Sequence, residues 1–183
     1  MIGIQYYQAP EEADIICNTL FKRGIVELVL SDDMDLLVSG TDKLLRCFNV
    51  SSNKIMFYDV NKIVSMLELT LEQWLHLCIL SGCDYCPRIP GIGIKNAYKY
   101  ILKYDTIEQI LEHLGEKVPE HYLERFNKSK EIFLKEDTSD TLSDIKVVKK
   151  HIVNTEPLIN YLKDTTHLTE KQIHNRIRII NLD

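Results

Sequence analysis

A short apolar run at residues 25–30, Ile-Val-Glu-Leu-Val-Leu, breaks at once into Ser31-Asp32-Asp33-Met34-Asp35. Short, apolar and β-branched, the run predicts a buried strand of a parallel sheet. A helix is predicted just before it. Pro10 suits the first helical position, Glu11 and Glu12 suit the first turn, and Ala13, Ile16, Cys17, Leu20 and Phe21 recur at helical spacing until Gly24. Downstream, Leu36-Leu37-Val38 open an element that ends at Gly40. Residues 44–48 and 54–58 read as strands around Ser51-Ser52-Asn53. Asp59 caps a predicted helix over 60–67, and Thr70 caps a more apolar one over 71–81.

The pattern changes at Gly82. No further strand is predicted, only helices over 94–104, 106–114, 120–134, 157–164 and 169–180, with a polar surface connection over 135–156. The expected architecture is α/β over 1–84 and helical over 85–183. With 183 residues, 45% hydrophobic and 27% charged, the chain can bury one real core, which excludes wholesale disorder. No apolar run approaches the roughly 18 residues that span a bilayer, and no basic-then-apolar leader opens the sequence. An intracellular protein is expected, nuclear in a eukaryote and otherwise cytoplasmic or viral.

The net charge of −5 argues at first against a nucleic-acid partner, but the charge is unevenly spread. Residues 1–84 hold 6 Lys and Arg against 12 Asp and Glu, whereas residues 85–183 hold 16 against 15. Acidic groups fall at element ends: Glu12 and Asp14 in a first helical turn, Asp33 and Asp35 after the strand, Asp84 after the apolar helix. In open α/β sheets ligands bind beyond the carboxyl ends of the strands. Carboxylates gathered there offer hard oxygen ligands to Mg²⁺ or Mn²⁺, and two such ions can drive phosphodiester hydrolysis. Each group also has a plainer use. Glu11 and Glu12 can favour a helix dipole, Ser31 or Asp32 can cap a helix, and Asp84 can be a turn residue.

Arg88-Ile89-Pro90-Gly91-Ile92-Gly93-Ile94-Lys95 resembles the turn of a helix–hairpin–helix motif. Gly91 and Gly93 allow close approach of a phosphate to the backbone, and the next helix offers its positive end. Lys95, Lys99 and Lys103 recur every four residues as one basic stripe. An ordinary glycine turn beside a solvated lysine face is the alternative. The five cysteines include one close pair, Cys83 and Cys86, with no second pair or histidines to complete a zinc site. Free, largely buried thiols are expected, and the six histidines form no ligand constellation.

Three blocks carry a family resemblance: Ala9-Pro10-Glu11-Glu12-Ala13-Asp14, Ser31-Asp32-Asp33-Met34-Asp35, and Leu77-Cys78-Ile79-Leu80-Ser81-Gly82-Cys83-Asp84-Tyr85-Cys86 running into the glycine turn. Together they resemble the flap endonuclease/XPG-type structure-specific nucleases, and the third block is long and specific. The resemblance implies a PIN-like, mainly parallel sheet followed by a helical part with a DNA-gripping hairpin. It implies a nuclease that cuts DNA at flaps, junctions or 5′ ends with two Mg²⁺ or Mn²⁺ ions. Glu12, Asp14, Asp33, Asp35 and Asp84 would be catalytic metal ligands; Gly91, Gly93, Lys95 and Lys99 would hold DNA, with K⁺ at the hairpin. Asp14 stands where the family commonly has Glu, so its shorter arm would reach the metal through water. Only eight residues precede Ala9. The chain is therefore expected to be the internal and C-terminal part of such a nuclease, partnered by an N-terminal half and without a clamp-binding tail. A non-catalytic DNA-junction module is the alternative, and a PIN-like ribonuclease is a third reading that the glycine turn and helical extension disfavour.

Overall fold

The computed structural model describes residues 7–49, 54–137 and 154–180, with only the backbone of residues 179 and 180. Residues 9–139 form one compact unit and residues 1–8 with 140–183 another, so the change of character at Gly82 falls inside the first. The first unit opens with α1 (Ala13–Lys22), β1 (Val29–Leu30) and the single turn α2 (Leu36–Ser39). It continues through β2 (Lys43–Asn49), β3 (Lys54–Asp59), α3 (Val60–Met66) and α4 (Leu71–Ser81). Then come α5 (Ile94–Lys103), α6 (Ile107–Leu114) and α7 (Tyr122–Phe133).

The expected mainly parallel sheet is, among the described residues, a small mixed one in the order β1-β2-β3. β1 runs parallel to β2 with Val29 opposite Leu44, and β3 returns antiparallel with Tyr58 opposite Leu44. The predicted strand over 25–30 contracts to two residues. The amides of Ile25 and Val26 donate back to the Leu20 carbonyl of α1, which takes them out of the ladder. Val29 is buried, but Leu28 and Leu30 are 43% and 58% exposed, so the strand is covered on one face only. The start of α1 also shifts. Glu12 is its N-cap in extended geometry, and Pro10 and Glu11 precede the helix. From the bend just before the helix Glu11 reaches Lys135, beyond the end of α7, to form an ion pair.

Elsewhere local chemistry sets the ends as the sequence predicts. The Asp59 carboxylate accepts from the Lys62 amide at 3.1 Å. Thr70 and Gln73 form a reciprocal capping box, at 3.1 Å and 2.9 Å. α4 is apolar nearly all round and lies in the core, where Leu75, Leu77, Ile79 and Leu80 are buried with Leu36, Leu44, Ile89 and Ala97. Each fully buried side chain of this size contributes roughly 1.5–3 kcal/mol. Trp74 Nε1 donates to the Leu37 carbonyl at 3.0 Å, and Tyr98 Oη donates to the Leu67 carbonyl at 2.9 Å. These bonds lock α4 to α2 and α5 to the end of α3.

In the second unit α8 (Thr155–Thr165) and α9 (Glu170–Ile180) pack through Leu158, Ile173 and Ile177. Most of the predicted connection over 135–156 lies outside the described residues. No single described helix is long and apolar enough to cross a membrane.

Gly82 ends α4 at φ 113°, a conformation that side chains disfavour. Arg88 lies over it, with Nε 2.7 Å from where a Cβ would stand. Gly82→Ala should therefore cost on the order of 1–3 kcal/mol, measurable by urea unfolding, and move the adjoining Asp84. An unchanged midpoint would mean that this turn relaxes freely.

Candidate functional site

Three separate segments deliver carboxylates to one place. Glu12 and Asp14 come from the start of α1, Asp33 and Asp35 from the turn between β1 and α2, and Asp84 from the turn after α4. All five line a cavity of about 170 Å³, together with Asn18, Ser39, Tyr85, Phe133 and Lys135. The structure brings together every acidic residue singled out from the sequence as a metal ligand. A larger, mainly apolar pocket of about 530 Å³, walled by Leu37, Val38, Trp74, Leu75 and Leu134, gathers no comparable donor set.

The acidic turn is tightly wired. Ser31 Oγ accepts from the Asp33 amide at 3.1 Å, and Asp33 Oδ1 accepts from the Asp35 amide at 2.9 Å. Asp32 serves the scaffold: its Oδ1 accepts from the Cys47 amide at 2.8 Å, and its carbonyl accepts from Arg46 Nη2 at 2.6 Å. Cys47 sits at φ 52° where the β2–β3 register shifts, so this bond fastens the turn to an irregular point of β2. Ser39 Oγ donates to the Asp35 carbonyl at 2.9 Å. Neither Glu12 nor Asp35 caps its helix with its side chain, which leaves both carboxylates available to a ligand.

Gathering these charges is unfavourable. Burial pushes the Asp35 carboxyl above the ordinary value of 3.8, and Asp33, Asp84 and Asp14 raise it further. Asp14 is likewise raised, first by burial and then by Asp33. Tyr85 moves upward from burial and the same carboxylates. Lys135 stands in the cavity wall but is paired with Glu11. A divalent cation among these carboxylates would relieve the repulsion.

No three His, Cys, Asp or Glu side chains among the described residues converge tightly enough to coordinate one ion as they stand. Spaced hard oxygens suit Mg²⁺ or Mn²⁺, which keep several waters between themselves and the protein. The donor set therefore fits a hydrated divalent ion. The thiols do not take part. Cys83 and Cys86 are free and pair only as an isolated antiparallel bridge flanking Asp84. Burial pushes Cys78 up to about 12 and raises Cys86, which keeps both protonated. Cys47 is exposed, unlike the largely buried thiols expected.

The glycine turn leads directly into α5, with Gly93 as N-cap. Gly91 adopts φ 78°, and the Asn96 carboxamide donates to its carbonyl at 2.8 Å, bracing the turn. Gly93, at φ −113°, is not required to be glycine by its backbone, and a Cβ there would meet nothing within 4 Å. Lys95 and Lys99 are exposed on α5, while Lys103 Nζ lies 4.9 Å from the centre of the Tyr104 ring. Two cavity residues, Asn18 and Lys135, were not singled out by sequence. Asn18 lies among helical residues with no motif around it, and Lys135 falls in a stretch read as a surface connection.

A mixed sheet with helices around it and carboxylates on its strand and helix ends defines a PIN-like nuclease fold. Among solved structures, flap endonuclease-1 from Methanococcus jannaschii superposes with a TM-score of 0.77 at 23% identity, covering 98% of this chain and 53% of that one. Human GEN1 in complex with Holliday junction DNA gives 0.76 at 22% identity, covering 98% and 49%. In sequence, residues 3–84 match the XPG I-region family. Flap endonuclease 1 of Entamoeba histolytica is 35% identical over 182 residues, 97% of this chain and 47% of that protein. Flap endonuclease 1 of Micromonas commoda is 45% identical over 122 residues, 64% of this chain and 32% of that protein. The chain belongs to the XPG-type flap endonuclease family, and it spans about half or less of these curated relatives.

The raised carboxyls set a pH dependence. A carboxylate whose folded pKa exceeds its unfolded one favours folding most when protonated, so stability falls as pH rises above about 3.8 through the raised range. In EDTA the thermal midpoint should drop across that window. Asp35→Asn, which keeps the shape without the charge, should melt higher than wild type at pH 7. A lower midpoint for Asp35→Asn would show that the Asp35 carboxylate has a structural partner.

Proposed function

We propose that this chain supplies the acidic centre and the DNA-gripping turn of a metal-dependent nuclease acting on flapped or branched DNA. The observation that carries the reading is the convergence of Glu12, Asp14, Asp33, Asp35 and Asp84, from three segments, on one cavity. Divalent ions held there would supply a water acidified for attack and would offset charge on the phosphodiester. The chain's own residues hold and orient. Asp33 and Asp35 are fixed by the wired turn, Asp84 by the glycine end of α4, and Glu12 and Asp14 by α1. Asp14, whose arm is short, would hold an ion through water.

DNA would be held by Gly91, Gly93, Lys95 and Lys99, through backbone amides at the start of α5 and through point charges on phosphates. We include K⁺ on the carbonyls of this turn in the proposal. The remaining contacts to the scissile phosphate would come from an N-terminal nuclease half, in keeping with the share of its relatives that this chain spans. Metal and DNA binding are thus properties of this chain, and cutting is a property of the complete assembly. The expected setting is intracellular.

The test begins with Mn²⁺ titrated into the chain by calorimetry. Uptake should be seen, and Asp33→Asn or Asp35→Asn should weaken it at least tenfold (about 1.4 kcal/mol) while leaving the fold intact. EDTA should abolish flap cleavage by the assembled enzyme. Flap-DNA binding without any Mn²⁺ uptake would instead favour a non-catalytic junction module. Lys95→Ala should weaken binding to every DNA sequence and reduce the salt slope by about 1. An unchanged slope would remove Lys95 from the phosphate contacts. Gly93→Ala should fold normally, since a methyl group meets nothing there, yet bind flap DNA less well. Equal affinity would place the DNA elsewhere.

A further inference from the structure

Asn18 is fully buried, and neither its Oδ1 nor its Nδ2 has a hydrogen-bond partner. A buried amide left unpaired on both sides is costly and rare, and an apolar residue of similar size would fill the space without that cost. The position is specific. Asn18 follows Asp14 by one helical turn on the same face of α1. It forms part of the wall of the cavity that holds all five carboxylates. On its far side the Lys22 stem lies against Gly40: a Cβ built there would stand 2.5 Å from Lys22 Cε and 3.4 Å from Asn18 Oδ1. The cavity's ionised carboxylates can only accept hydrogen bonds, whereas a carboxamide can both accept and donate. Water bound to a divalent cation presents its hydrogens outward and needs acceptors placed around it.

We propose that Asn18 is a positioning residue for the cation: its carboxamide accepts from a water in the ion's coordination shell and donates to a carboxylate oxygen, and that water bridges Asp14 to the ion. The unpaired amide is then a hydrogen-bonding socket that the hydrated cation completes. Asp14 is half-buried one turn away on the same face, and Asn18 would add reach to it through water. This proposal rests on the metal-binding reading above and adds a residue and a hydration geometry to it.

The experiment compares wild type, Asn18→Leu, Asn18→Ala and Asp33→Asn. It measures Mn²⁺ affinity by calorimetry, the EPR spectrum of bound Mn²⁺, and the thermal midpoint in EDTA and in saturating Mn²⁺. Asn18→Leu adds volume and Asn18→Ala removes it, so a packing defect in one direction does not decide the matter. Both variants should melt in EDTA no lower than wild type, bind Mn²⁺ about tenfold more weakly, and show an altered EPR line shape. A lower midpoint in EDTA with Mn²⁺ affinity within twofold of wild type and an unchanged spectrum would make Asn18 a structural residue and overturn the proposal. If wild type takes up Mn²⁺ and Asp33→Asn does not, that result leaves only Asn18 in question. If wild type takes up none, the metal reading falls and this proposal falls with it.

Discussion

Mutual repulsion among like charges governs this structure. Asp14, Asp33, Asp35, Glu12 and Asp84 share one small cavity, and two of them are driven toward their neutral forms by burial and by one another. Nothing in such a cluster holds itself together, so the scaffold must. A carboxylate on a flexible loop would swing out to water. Here the helix starts, the wired turn and the glycine stop of α4 leave little freedom to do so. The apolar packing around α4 opposes the electrostatic strain at its edge.

Much of this was legible in the sequence, because the elements that matter are local. The caps at Asp59 and Thr70 and the apolar face of α4 follow from a few neighbouring residues each. The acidic positions were visible as element ends. What escaped was decided by long-range contacts. The run at 25–30 has strand composition throughout, yet the Leu20 carbonyl captures the amides of Ile25 and Val26 and leaves only Val29 and Leu30 for the ladder. Pro10 looks like a first helical residue, but the helix begins only after Glu12, and Glu11 pairs with Lys135, which lies 124 positions along the chain. Spacing alone cannot reveal either contact.

Asn18 was illegible for a different reason. A polar pair, Asn18 and Thr19, between Cys17 and Leu20 reads as an ordinary interruption of a helix, and only the burial of Asn18 without partners marks it out. The same holds in reverse for Asp32. It sits beside Asp33 in an acidic string, yet its carboxylate is spent on the Cys47 amide and its role is to anchor the turn. Chemical type told apart neither residue's part in the site; hydrogen-bond bookkeeping did.

Asp33 does two jobs with one group. Its Oδ1 orders the backbone at Asp35, while its negative charge faces the cavity. An asparagine in its place keeps an oxygen for the Asp35 amide and discards the charge, whereas an alanine discards both. Truncation at this position therefore confounds loss of the charge with collapse of the loop that aims its neighbour, and only the isosteric amide separates electrostatics from architecture.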